Sequence, residues 1–171
     1  MNEQSKKPVE IRIVLPTNAY FMSGIRDFTL AMIKNMTDFS EQWAFRFQSV
    51  VDELCNNAIE HGSSTDDKIE IKFVNYPDEA VEILVSDHGS RIDQKMTATQ
   101  IMEKMQKNAD IDITQLGIRG RGLAKIVKAW TDELEFTDNP DGGVTVRVKK
   151  YLHDAKFQEE LPDNDPTHIV I

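Results

Sequence analysis

Apolar and polar residues alternate in five separate runs of this chain, and that pattern limits its fold more than any other feature. In residues 9–15, Val9, Ile11, Ile13 and Leu15 stand against Glu10 and Arg12; in residues 68–74, Ile69, Ile71 and Phe73 stand against Glu70 and Lys72. Val81, Ile83 and Val85 begin a third run, and residues 133–137 and 144–151 form two more. Alternation turns one face of a strand to a core and the other to water. Antiparallel sheets read this way, whereas parallel sheets buried on both faces read as unbroken apolar runs. Pro77-Asp78 separates the second and third runs, and the stretch NPDGG (Asn139 to Gly143) separates the last two, so each pair reads as a hairpin. Two helices are expected as well. One covers about residues 19–36, capped by Thr17 or Asn18, with Phe21, Ile25, Phe28, Met32 and Met36 on its apolar side. The other covers residues 41–62, capped by Ser40. The predicted class is α+β: a two-layer sandwich, its sheet mixed but mostly antiparallel, with helices on one face.

The length of 171 residues fits a single domain, placed at residues 1–152, followed by an acidic and flexible tail over 153–171. Lys and Arg total 20 against 29 Asp and Glu, a net charge of −9, which argues against direct nucleic-acid binding because that needs a basic footprint. The one basic island lies between Asp112 and Asp132, where Arg119, Arg121, Lys125 and Lys128 occur with no acid among them. It is a place to seat a polyanion. No apolar run approaches the roughly 20 residues that span a bilayer, and the polar start MNEQSKKPVE lacks the apolar centre of a signal peptide. A single cysteine, Cys55, forms no internal disulfide, and the cytoplasm is the expected compartment.

Three stretches offer chemistry. On the second helix, Phe47, Val51, Leu54 and Ala58 form an apolar stripe, and Ser49, Glu53, Asn57 and Glu60 form an oxygen-bearing one beside it. An amide oxygen together with phosphate oxygens can hold magnesium, and a carboxylate one turn away can orient or deprotonate a nucleophile. By itself this stripe reads first as a solvated helix face. The second stretch is VSDHG, in which Asp87 follows an apolar strand and Gly89 permits close approach of a ligand; the carboxylate can accept from an exocyclic amino group, though Asp and Gly also make plain turns. The third is GIRGRGL (Gly117 to Leu123), opening a helix over about residues 123–130, where glycines let backbone N–H groups turn toward phosphate. No strand precedes it and no lysine follows its last glycine, so it is neither a Rossmann nor a Walker loop.

ELCNNAIEHG, VSDHG and GIRGRGL, in this order and at these intervals, resemble the Bergerat ATP-binding fold of gyrase, Hsp90, histidine kinases and MutL. Within that superfamily the short single-domain form resembles the anti-sigma factor serine/threonine kinases, over about residues 9–152. The resemblance implies ATP and Mg2+ as cofactors, Glu53 as catalytic base, and Asn57 as the magnesium-binding residue. It implies that Asp87 recognises the adenine amino group with Gly89 allowing ring approach. Gly117, Gly120, Gly122 and Leu123, with Arg119 and Arg121 beside them, become the phosphate loop under a lid of about residues 90–116. One departure is Arg91, which stands where the family's first glycine box has its second glycine. The implied partners are a sigma factor, a STAS-domain anti-anti-sigma protein and a second copy of the chain, with no membrane. An ATP-binding switch without kinase activity is the alternative. A histidine kinase fragment or gyrase-like ATPase ranks behind both, because the first needs an upstream helix pair and the second a following transducer domain.

His61, closing the second helix, suits the helix dipole. Cys55 falls off the Glu53 stripe and is expected to be buried, and the seven methionines to fill core and lid.

Overall fold

Period-2 runs become strands wherever a neighbour satisfies their backbone groups, and here each run finds one. A computed structural model describes residues 7–62, 67–88, 97–109, 127–140 and 142–152. Five strands, β1 (Val9–Pro16), β2 (Lys68–Tyr76), β3 (Ala80–Asp87), β4 (Glu133–Asp138) and β5 (Val144–Tyr151), form one sheet in the order β1-β2-β3-β5-β4. Every pairing among these strands is antiparallel, so the expected antiparallel character holds and no parallel pair joins it. Asp78 takes a positive φ of 62° in the β2–β3 turn, a conformation that Asp tolerates.

Helices α1 (Met22–Met36) and α2 (Glu41–Asn57) pack on each other and on one sheet face. Ile71, Phe73, Ile83, Val85 and Val148 from the sheet meet Ile33, Phe47, Val50, Val51 and Leu54 from the helices, all at 2% exposure or less. Burying a side chain of this kind contributes about 1.5–3 kcal/mol. The Phe47, Val51, Leu54 and Ala58 stripe is buried as its spacing predicts. On α1, Ile25 and Met32 of the expected stripe are buried and Phe28 packs against the core, but the two ends of the stripe are not covered. Met22, Ile25, Thr29, Met32 and Ile33 are buried, while Phe21 and Met36 stay exposed at 38% and 39%. Phe21 belongs to a 3-10 turn, Ala19–Phe21, that precedes the α-helix, and Met36 is the last residue of that helix. Asn18 caps that turn by accepting from Tyr20 N, and Ser40 caps α2 by accepting from Trp43 N. A bidentate pair, Arg26 with Asp52 at 2.9 Å, joins the outer sides of the two helices.

Gly24 lies near the start of α1 with open space where a Cβ would go. Its only effect there is conformational freedom in the unfolded chain, so Gly24→Ala is expected to stabilise the fold by about 0.5–1 kcal/mol. Chemical denaturation should show a higher midpoint at unchanged slope.

The other sheet face is lined by ion pairs. Arg12 bonds Glu70, Lys72 lies 3.4 Å from Glu10, and Arg147 bonds Glu82, Glu133 and Glu135. Burial disfavours the Arg147 guanidinium, yet its hydrogen bonds to Glu82 and Glu133 prevail and raise its pKa. Glu133 is held below the usual carboxylate range by hydrogen bonds from Tyr151 and Arg147. Lys149 sits 4.8 Å over the rings of Tyr76 and Tyr151.

The last two helices are shorter. Helix α3 (Ala98–Ala109) lies within residues 90–116, the span that the resemblance makes a lid. It opens with a capping box, Gln100 N donating to Thr97 Oγ1 and Thr97 N to Gln100 Oε1. The short turn α4 (Lys128–Trp130) follows Val127, which is fully buried in the core. The rest of the helix predicted over 123–130 and the whole of the acidic tail lie outside the described residues. No helix among the described residues is long and apolar enough to cross a membrane.

Candidate nucleotide site

Helical spacing sets Glu53 and Asn57 one turn apart on the last turns of α2, and the structure joins them. Asn57 Nδ2 donates to the Glu53 backbone oxygen at 2.7 Å and lies 3.4 Å from Glu53 Oε1. The NH2 end of the amide is thereby turned back along the helix, and its oxygen faces the opposite way. Both side chains are half-buried. Beyond Asn57 the α-helical ladder gives way to a π-helical turn, Ala58–Gly62, so the helix predicted to run unbroken over 41–62 widens in its last five residues. Such widenings are frequent at functional sites. This turn and α2 both touch β3, which brings the Glu53–Asn57 pair toward the second station.

Asp87 is the last residue of β3 and is 7% exposed. It follows Ile83 and Val85 on the helix-covered face of the sheet. Its carboxylate stands where a ladder carbonyl would, with Val144 N donating to Oδ2 at 3.1 Å. Its backbone oxygen accepts from Asn139 Nδ2 at 3.0 Å. Val144, 6% exposed and opposite Asp87, adds apolar surface on the same face. A carboxylate set beside an apolar wall suits a planar base that presents an amino group.

Gly89, Gly117, Arg119, Gly120, Arg121, Gly122 and Leu123 lie outside the described residues, as does Arg91. The flanks of those stretches are anchored. Ala98 N at the start of α3 donates to Asp138 Oδ1 at 2.8 Å. Val127, after the glycine run, lies in the core, and its oxygen accepts from Thr131 Oγ1.

Cys55 is fully buried, and burial foremost, with the nearby Asp52 charge, pushes its thiol up to about 12. It is a core residue and no nucleophile at neutral pH.

Sequence reading missed one set of residues at the site. Ser86, Asn139, Gly143 and Thr145 surround Asp87 from behind; Asn139 bonds Asp87 across 52 residues and Ser86 meets Thr145 across 59, while Thr145 bonds Asn139 six residues away. Their only trace in the sequence is the second glycine of NPDGG, one more than a tight hairpin needs.

The description "histidine kinase-like ATPase domain" matches residues 15–150. Among curated proteins, "Serine-protein kinase RsbW" of Bacillus cereus (strain AH187) is 26% identical over 161 residues, covering 94% of this chain and 92% of that protein. "Serine-protein kinase RsbW" of Bacillus velezensis (strain DSM 23117 / BGSC 10A6 / LMG 26770 / FZB42) is 24% identical over 145 residues, covering 84% and 86%. An ATPase domain implies ATP as the ligand, and the end of α2 and the end of β3 supply residue types that fit one. With the sheet, the two-helix layer and a match over most of its length, the chain belongs to the histidine kinase-like ATPase domain family.

Proposed function

We propose that this chain is an ATP-dependent anti-sigma factor: a protein serine kinase that sequesters a sigma factor and phosphorylates a serine of a STAS-domain anti-anti-sigma partner. The observation that carries the reading is the Glu53–Asn57 pair, a carboxylate and an oriented amide at the widened end of α2, beside the strand that ends in buried Asp87. The names of the two Bacillus relatives support serine as the acceptor.

In this reading Asp87 accepts from the 6-amino group of adenine, with Val144 beside the ring. Asn57 would hold magnesium through its amide oxygen, and the ion when bound supplies charge neutralisation at the phosphate oxygens. Glu53 accepts the proton of the incoming serine hydroxyl as its oxygen bonds the γ-phosphorus and the bond to the bridging β–γ oxygen breaks; ADP leaves with that electron pair. Gly117, Gly120, Gly122 and Leu123 hold the phosphates through backbone N–H groups, and Arg119 or Arg121 faces the γ-phosphate. The chain acts in the cytoplasm as a homodimer, paired through the sheet face opposite α1 and α2 with its ion pairs.

Arg91, where the family's second glycine is expected, favours a second reading in which the chain binds ATP and partner without transfer. One experiment separates the two. The full chain is incubated with γ-labelled ATP, magnesium and a STAS-domain protein under single-turnover conditions. Label on a partner serine is expected; ATP binding with no label on the partner sinks the kinase and leaves the switch.

A further inference from the structure

The β4–β5 hairpin turn holds Asp87 from two sides. Asp87 lies one residue past the last β3–β5 ladder pair, Ser86 with Thr145. On its other edge Asp87 is paired with Ile69 of β2, and on the β5 side the carboxylate is held by Val144 N at 3.1 Å and the carbonyl by Asn139 Nδ2 at 3.0 Å. Asn139 is oriented in turn. Thr145 Oγ1 donates to Asn139 Oδ1 at 2.7 Å, which fixes the oxygen end of the amide and leaves the NH2 end for Asp87. With the Thr145 proton used in this way, Ser86 is the donor in its 2.7 Å contact with Thr145. The bonds run in one direction, from the Ser86 hydroxyl to Thr145, to Asn139 and to the Asp87 carbonyl, and so return to the residue next to their start. Ser86 and Thr145 lie on the sheet face away from the helices, because their neighbours Val85, Asp87 and Val144 face the helical layer.

We propose that Asn139, oriented by Thr145, is a positioning residue for base recognition: it holds Asp87 from the opposite side of the sheet and so sets how strongly the site selects a 6-amino purine. The inference rests on the reading of Asp87 as the base-recognising group. A misplaced carboxylate weakens one directed hydrogen bond while contacts to the triphosphate are untouched, so selectivity is more sensitive than overall affinity.

The test compares binding of ATP with that of purine riboside triphosphate, which lacks the 6-amino group, both with magnesium, by titration calorimetry on the full chain. Wild type is expected to favour ATP. Asn139→Ala is expected to shrink that preference about threefold to tenfold, the worth of one hydrogen bond, while binding the analogue almost as wild type does. Thr145→Val, which keeps side-chain shape and removes the donor to Asn139, should shrink the preference in the same direction by less, and it serves if Asn139→Ala fails to fold. If wild type prefers ATP and both folded variants keep that preference, or lose affinity for both nucleotides equally, the positioning role is wrong and the base-recognition reading stands. If wild type shows no preference, both fall together.

Discussion

Glu53→Gln is expected to lower phosphoryl transfer to the acceptor serine by about 10²–10⁴-fold, the usual contribution of a positioned general base, with ATP affinity changed only a few-fold. Glutamine keeps the length and shape of the side chain, so the half-buried end of α2 should retain its packing. What it loses is a carboxylate oxygen able to take a proton. It also replaces the acceptor 3.4 Å from Asn57 Nδ2 with an amide that must turn its own oxygen there to keep the contact. Rapid-quench measurement of labelled STAS partner, beside calorimetric ATP binding, separates these effects. A variant that binds ATP normally and transfers slowly places Glu53 in chemistry. Transfer at the wild-type rate removes the general-base role, and loss of binding in step with transfer makes Glu53 part of the nucleotide seat instead.

The sheet was legible in the sequence because its signal is local: each strand's alternation shows on its own, and the hairpins are marked by Pro77-Asp78 and the NPDGG stretch. The α2 stripe was legible for the same reason. The ends of the α1 stripe were not, because Phe21 falls in a 3-10 turn ahead of the helix and Met36 at its last residue, and periodicity carries no record of where a helix changes pitch or stops. The π turn after Asn57 was hidden likewise, since Ala58 to Gly62 continue an apolar pattern that an α-helix also satisfies. At the candidate site, residue type, strand-end position and spacing singled out Glu53, Asn57 and Asp87, and only the resemblance gave them roles. The residues behind Asp87 were not. A bond from Asn139 to a carbonyl 52 residues away depends on strand order, with β5 beside β3 rather than β4, and nothing local in the sequence states that order. Side chains that bond backbone oxygen leave no pattern to read, unlike those that alternate.

Gly143→Ala should be the most damaging single-methyl change near the site, losing about 2–4 kcal/mol of stability and most of the ATP affinity. Gly143 has φ of +106°, well outside the left-handed region that L residues tolerate, and strain of this kind costs of order 1–3 kcal/mol. A Cβ there would stand 2.5 Å from Asp87 Oδ1 and closer still to the Asp87 backbone oxygen. Neither neighbour is the free end of a flexible side chain. The backbone oxygen is held by Asn139, and the carboxylate by Val144 N. Relief requires the turn to move, which breaks the Asn139 N to Gly143 O bond at 2.9 Å, or Asp87 to move, which breaks its own two. Each such bond is worth about 1 kcal/mol, and either movement displaces the carboxylate from the position proposed for base recognition. Thermal unfolding should therefore show a melting temperature lower by roughly 5–15 °C, with ATP binding weakened even at temperatures where the variant is fully folded. The Gly24→Ala variant supplies the contrast, since the same added methyl meets nothing there and should raise stability. If Gly143→Ala binds ATP as wild type does while folded, close packing of the turn against Asp87 does not set the carboxylate's position. A normal melting temperature as well would mean that the β4–β5 turn accepts a side chain where the backbone geometry leaves no room for one.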